Sequence, residues 1–518
     1  MTMMKRNVRR APPSWSALRR VAQERFGIAG FRTGQRPLIR AVLEERPALG
    51  ILPTGAGKSL CFQLPALFLP GLTVVVSPLL ALIRDQTQKL DELGIDVTKL
   101  DSTLTAAEER EANAEVRAHD APILYVTPER LERPEVRAML REAGVSLLVV
   151  DEAHCVSQWG HDFRPSYLTI RDAVKALGGP PVLALTATAT PELTRDILTQ
   201  LGAPGAEVVR GDLERKNIFF EVRRTPSEEK KREALAELLA EEQGMVIVYA
   251  ATTRADDELH DALASDGLPV ARYHGKLKAA ERKKNQDAFM RGEARIIVAT
   301  AAFGLGIDKP DVRLVVHYNF PDSLESYYQE AGRAGRDGEP ARAVLLYRLE
   351  DRRVQAYFLG GKYPKRAHLL QVYEILGAAP DHEATLAAIA ETAGLSARWT
   401  QVIVAQLDAM GVARRRGSGS AASVRLLRDF ADVGELDRFA SSYEARFDTD
   451  REKLADMMRY AQTTDCRVRC LATYFGEAAD VDCEHCDTCR DHPAEVGPAT
   501  EPPTPEPLPL HPPVRRSA

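Results

Sequence analysis

Short apolar runs without polar alternation, separated by helix-length segments, organise most of the chain. The first five are Leu49–Leu52, Thr73–Val76, Ile123–Val126, Leu147–Val150 and Val182–Leu185. A second five are Met245–Val248, Val270–Tyr273, Arg295–Ala299, Leu314–His317 and Ala343–Tyr347. Runs of four or five residues rich in β-branched types suit parallel strands covered on both faces. The two series divide near Thr225–Glu229 and predict two doubly wound α/β domains, at 14–225 and 226–364. In such folds ligands sit at the carboxyl ends of the strands. From about Lys365 the pattern becomes helical. His368–Leu376, Ala384–Thr392 and Ala397–Met410 have helical periodicity and stop at Gly377, Gly394 and Gly411. Val412–Leu426 then reads as two short strands around Arg414, Arg415, Arg416 and Gly417.

Three helices and a hairpin predict a small winged-helix-like module at 365–430. Two more helices, Gly434–Arg446 and Thr449–Thr463, lead into a cysteine cluster and complete a module at 431–490. The basic segment 1–13 and the Pro-rich segment 491–518 carry too little apolar surface to fold, and both are expected to be disordered.

Composition narrows the class. The chain has 518 residues, 44% hydrophobic and 28% charged, as expected of a soluble multidomain protein. No apolar run approaches the roughly 18 residues of a membrane span, and no apolar stretch follows the basic start as a secretory signal requires. The expectation is a cytoplasmic protein with no membrane partner. A net charge of −5 means that any nucleic-acid site is a local basic surface. Five of the seven cysteines lie between Cys466 and Cys489, which points to metal rather than to a disulfide scaffold.

The chemistry begins after the first predicted strand, at Pro53-Thr54-Gly55-Ala56-Gly57-Lys58-Ser59. Backbone N–H groups of a Gly-rich loop at a helix N-terminus cradle phosphates, with Lys58 reaching the β- and γ-phosphates and Ser59 ligating Mg²⁺. Leu52 stands where the usual first Gly of this pattern falls. Leu147-Leu148-Val149-Val150-Asp151-Glu152-Ala153-His154 supplies the second half. A strand ending in two carboxylates can hold Mg²⁺ through Asp151 and polarise the attacking water through Glu152.

With these motifs in order, the sequence resembles the RecQ family of DNA helicases, superfamily 2 enzymes with two tandem RecA-like domains. The resemblance covers about Ser14–Phe358 and resumes at Thr449–Arg490. It implies that Phe31, Arg32 and Gln35 recognise adenine and that Asp151, Glu152 and His154 form the acidic motif. It also implies that Ser77, within Val76–Leu82, and Tyr125–Arg130 track a nucleic-acid strand, and that Thr186–Ala189 couples hydrolysis to domain movement. The segment Cys155-Val156-Ser157-Gln158-Trp159-Gly160-His161-Asp162-Phe163-Arg164-Pro165 resembles the family's aromatic-rich loop. Independently, Trp159 and Phe163 can stack on bases, and Arg164 can pair with phosphate.

In the second domain Ala299–Pro310, with Thr300 and Asp308, resembles the fifth helicase motif, and Gln329–Asp337 resembles the sixth. Gln329, Arg333 and Arg336 lie three and four residues apart, near one helical face. An arginine reaching across the cleft stabilises transition-state charge only when the domains close; Arg336 is favoured, with Arg333 second. Two segments depart from the family's usual form, Tyr249-Ala250-Ala251-Thr252-Thr253-Arg254 and Tyr273-His274-Gly275-Lys276-Leu277.

Cys466, Cys483, Cys486 and Cys489 resemble the family's zinc site; Cys470, one helical turn from Cys466, is the alternative fourth ligand, ahead of His485 and His492. Four thiolates leave no open position, so the Zn²⁺ is expected to be structural. The winged-helix-like segment lies before this module rather than after it. Arg398, Trp399, Arg414, Arg415 and Arg416 could touch duplex backbone there, or the segment could be a spacer. The resemblance implies an ATP-dependent 3′→5′ DNA helicase acting in recombination and repair, associated with the nucleoid. Its partners would be single-stranded, duplex or branched DNA, single-strand-binding protein and recombination factors. An RNA helicase or a translocase without strand separation, and a non-catalytic DNA-binding scaffold, are the competing classes.

Overall fold

The structure is a computed structural model that describes residues 12–157, 164–304, 309–417, 420–477 and 482–491. Strands β1 (Ala48–Ile51), β2 (Leu72–Val76), β3 (Val97–Leu100), β4 (Ile123–Val126), β5 (Val145–Val150), β6 (Val182–Thr186) and β7 (Glu207–Arg210) form one parallel sheet. Its order is β3-β4-β2-β5-β6-β1-β7. The unbroken apolar runs are explained by its two covered faces. Val74, Val76, Leu124, Val126, Leu148 and Val150 enter one core, while Val75, Tyr125, Leu147 and Val149 enter the other.

Strands β8 (Ile218–Arg224), β9 (Met245–Tyr249), β10 (Val270–Tyr273), β11 (Ile296–Ala299), β12 (Val312–His317) and β13 (Ala341–Tyr347) form the second parallel sheet, in the order β10-β11-β9-β12-β13-β8. All ten expected strands are present. The division expected at 225/226 is corrected, because β8 precedes it yet pairs with β13 from Ile218↔Ala341 to Arg224↔Tyr347. The two sheets are the expected pair of α/β domains.

Helices Arg366–Ala378, Leu386–Ala393 and Ala397–Ala409 pack on a three-stranded antiparallel sheet of Glu383–Thr385, Ala413–Arg416 and Ser423–Leu426. The first of these strands takes Ala384, which was expected to begin a helix. The two helices expected after this module are one, Val433–Gln462, 30 residues and about 45 Å long. Nothing between Arg446 and Thr449 breaks a helix, and its two halves bury against different bodies. Phe439 and Tyr443 join the core of the small module; Leu454, Met457, Met458 and Tyr460 join the core under the second sheet. Among the described residues no helix is long and apolar enough to cross a membrane. The expected arms, apart from Pro12, Pro13 and Asp491, lie outside the described residues.

Candidate functional site

The loop Leu52–Ser59 joins β1 to helix Leu60–Ala66, every residue of which is buried. Gly55 and Gly57 have φ of +83° and +76°, in the left-handed region that side chains avoid. A Cβ on Gly57 would also stand 2.5 Å from Gln35 Nε2. Gln35, itself buried, donates to Ala56 O and Gly57 O at 3.1 and 3.0 Å and accepts from Arg32 N at 2.8 Å. Arg32 donates to Gly55 O. The residues expected to read adenine are therefore tied here to the phosphate loop, with Phe31 edge-on to Trp15 at 5.7 Å. Lys58 Nζ donates to Leu52 O at 3.1 Å. Burial lowers its pKa, and the charges of Glu152 and Asp151 oppose that shift.

Asp151 and Glu152 close β5, and Asp151 N donates to Val76 O at 2.9 Å. Burial first, and the neighbouring Glu152 charge second, push the Asp151 carboxyl up to about 7, with Lys58 pulling the other way. A buried anion of this kind facing Lys58 is suited to a cation. Glu152 is non-glycine at φ +47°, and this strained turn carries its side chain toward His154, whose Nδ1 lies 3.4 Å from Glu152 Oε2. His154 Nδ1 is also 3.1 Å from Thr186 Oγ1, which donates to Thr188 O at 3.1 Å. A continuous polar chain thus runs from the second carboxylate to the segment ahead of helix Pro191–Leu201.

The second domain presents its two arginines differently. Arg336 lies against the phosphate loop: a Cβ on Gly55 would be 3.4 Å from Arg336 Cγ, and the Arg336 charge depresses Lys58. Arg333 is 4% exposed and turns into its own domain, onto the Tyr249 hydroxyl and the backbone at Gly304. Gln329 is buried on helix Leu324–Ala331, ahead of both in the chain. Arg336→Ala is therefore expected to lower kcat for ATP by about 10³-fold with KM nearly unchanged, the size of an arginine-finger effect. Arg333→Ala is expected to show mainly as a lower melting temperature. Steady-state ATPase kinetics and thermal unfolding of the two variants separate these outcomes.

Arg215, which no sequence motif flags, bridges the cleft. Its guanidinium donates to Thr54 O of the phosphate loop at 3.0 Å and to Gly332 O, Ala334 O and Gly335 O at 3.3, 3.0 and 3.0 Å. The cleft is lined by Arg32, Thr54, Gly55, Arg215, Asn217 and Arg336.

The expected nucleic-acid residues scatter. Ser77 is corrected: it is fully buried at the end of β2, where its amide donates to Val126 O at 3.1 Å. Arg164 donates to Pro78 O at 2.8 Å. Thr300 is partly exposed just past β11. Arg415 lies 3.6 Å from Glu132 of the first domain, and helix Ala397–Ala409 packs on Pro165–Thr169. The small module is thus docked on the first domain through an arginine expected to contact DNA. Trp159, Phe163 and Asp308 lie outside the described residues, as does the side chain of Arg398.

The Sγ atoms of Cys466, Cys483, Cys486 and Cys489 all lie within 4.8 Å of one another, and none is in a disulfide. Cys466 Sγ accepts from Cys483 N at 3.3 Å and Arg469 N at 3.5 Å, hydrogen bonds that favour a thiolate. Cys470 is outside this set, and burial pushes its thiol up to about 11. The donor set fits a structural zinc ion held by Cys466 and not by Cys470. His485 Nδ1 is turned to Cys483 O, and His492 lies outside the described residues. The zinc loop is fixed to the second sheet, since Asp487 accepts from Val222 N at 2.8 Å and from Arg467 at 2.8 and 3.1 Å.

Comparison with known proteins agrees with this order of parts. Residues 32–197 match the DEAD/DEAH box helicase family, 230–338 the helicase conserved C-terminal domain and 430–490 the RecQ zinc-binding family. The ATP-dependent DNA helicase RecQ of Bacillus subtilis is 42% identical over 336 residues, 64% of this chain and 56% of the relative. The probable ATP-dependent DNA helicase RecS of the same organism is 40% identical over 322 residues, 62% of this chain and 65% of the relative. The chain spans roughly 54–65% of the length of these first relatives. Among solved structures, the Mycobacterium smegmatis helicase Lhr bound to single-stranded DNA and AMP-PNP has a TM-score of 0.54 at 21% identity. That alignment covers 82% of this chain and 61% of Lhr, and it speaks to the fold alone. The helicase and zinc-binding matches imply ATP, Mg²⁺ and Zn²⁺ as cofactors. Two helicase domains and the family's own zinc module, matched in sequence and joined in one structure, place this chain in the RecQ family of superfamily 2 helicases.

Proposed function

We propose that the chain is an ATP-dependent 3′→5′ DNA helicase that unwinds duplex or branched DNA in recombination and repair, in the cytoplasm at the nucleoid. The observation that carries this reading is the cleft, where Lys58, Asp151 and Glu152 of one domain meet Arg336 of the other. ATP with Mg²⁺ supplies the phosphoryl group and the energy of its transfer. Thr54–Gly57 and Lys58 would hold the phosphates, and Ser59 and Asp151 the metal, while Glu152 accepts the proton of the attacking water. Gln35 would read the adenine after giving up its bonds to Ala56 and Gly57. Arg336 completes the site only with the domains closed, so hydrolysis and interdomain movement are coupled. Thr300 from the second domain, with the Trp159–Arg164 loop, would follow the strand and report to the cleft, and Asp308 would contact the nucleotide. Single-strand-binding protein and recombination factors are the proposed partners.

The test is unwinding of two labelled duplexes, one with a 3′ and one with a 5′ overhang, with Mg²⁺-ATP and a Lys58→Ala control. Separation of only the 3′-tailed duplex, absent in the control, is expected. Vigorous DNA-stimulated ATPase without separation of either duplex would sink the helicase reading and leave a translocase.

A further inference from the structure

One cluster of metal-ligating side chains stands apart from both the cleft and the cysteines. His274 lies in one of the two segments where the sequence departs from the usual family form, and Asp256 and Asp257 follow closely after the other. Helix Thr253–Ser265, which follows β9, carries Asp256 and Asp257 in its opening turns, and His274 directly follows β10. One oxygen of each carboxylate and one imidazole nitrogen all lie within 4.8 Å of one another.

Two of the three residues are buried with ligand atoms unused. Asp256 is 0% exposed, and neither carboxylate oxygen has a hydrogen-bond partner; His274 is 3% exposed, and its Nδ1 has none. A buried carboxylate without any donor costs far more than one that is paired, so the fold presents groups that a cation or a proton would satisfy. Asp257 is half-exposed and gives the cluster access to solvent; its Oδ1 is 3.1 Å from His274 Nε2. The nearby cation is Arg272, 3.0 Å from Asp257 Oδ1. It has other carboxylates within reach, Glu281 at 3.5 Å and Asp261 at 4.0 Å.

We propose that Asp256, Asp257 and His274 form a second metal site, for a divalent first-row ion of the Mn²⁺ or Zn²⁺ kind. Two carboxylates and one imidazole suit such ions, whereas a soft thiophilic ion belongs to the cysteines. The ion ties the first turns of the helix to the end of β10 and so sets the loop that begins at Gly275. Its open positions take water, and its role is structural.

Mn²⁺ is the probe, titrated into the full chain with zinc retained on the cysteines and no nucleotide present. Free Mn²⁺ is followed by electron paramagnetic resonance. Asp151→Asn is expected to keep the Mn²⁺ equivalent that Asp256→Asn loses, which separates this site from the cleft. Asp256→Asn and His274→Ala should bind at least about tenfold more weakly. Mn²⁺ should also raise the unfolding midpoint of wild type but not of Asp256→Asn. Equal binding by wild type and Asp256→Asn, loss of binding in Asp151→Asn alone, or no binding by the wild type overturns the proposal.

Discussion

Glu152→Gln is expected to lower DNA-stimulated ATP hydrolysis by about 10³-fold, near 4 kcal/mol in the barrier, while leaving nucleotide binding intact. The substitution keeps the length and shape of the side chain, so the strained backbone at φ +47° and the packing around it persist. It removes only the ability to accept a proton from water. Lys58→Ala acts on a different step: it deletes the cation that faces Asp151 and Glu152 inside the loop, and nucleotide affinity falls with the rate. A filter-binding or fluorescent-nucleotide titration run beside the ATPase assay distinguishes the two. Undiminished ATPase in Glu152→Gln would remove this residue from the chemistry and leave the polar chain through His154 and Thr186 as structure alone.

The parts of the molecule legible in its sequence were those with a local signature. The ten expected strands announce themselves as apolar runs, nine of them largely buried and the edge strand β10 only at Ala271, and the phosphate loop and acidic pair follow two of them directly. The strands that escaped notice, β3, β7 and β8, all lie at sheet edges and carry charged residues within the strand. Val97-Thr98-Lys99-Leu100 and Glu207-Val208-Val209-Arg210 carry charged, partly exposed residues that interrupt the pattern. The misplaced domain division has the same source, because β8 is an edge strand.

In the site, spacing suggested that Gln329, Arg333 and Arg336 share a helical face. The helix ends at Ala331, however, and the turns beyond it send Arg333 inward and Arg336 to the cleft. Arg215 was invisible because its role lies in backbone carbonyls that no motif encodes. Arg415 looked like a phosphate contact because the sequence does not show Glu132 coming to meet it.

The second large effect is expected at the zinc module, where Cys486→Ser should release the zinc ion while Cys470→Ser retains it. The reason is positional. Cys466 caps helix Arg467–Tyr474, and Cys483, Cys486 and Cys489 lie on the segment that follows, so the metal joins two segments that the Arg467–Asp487 pair also holds together. That loop also covers the free edge of the second sheet. Cys486 bridges Phe220, Asp487 takes the amide of Val222, and Arg490 lies over Phe219 at 4.8 Å. With the metal gone, the loop loses its anchor, and β8 presents unpaired N–H and C=O groups to other chains. The cost should exceed about 4 kcal/mol, the range reserved for loss of a structural metal or a comparable defect. Zinc retained after chelator washing, the melting temperature and light scattering read the three consequences. Cys470 is a half-buried thiol outside the sulfur cluster, and exchanging it for serine should cost only local packing. Loss of zinc from Cys470→Ser with retention in Cys466→Ser would reverse the assignment of the fourth ligand. Retention of zinc in Cys486→Ser would mean that the cluster does not hold it at all.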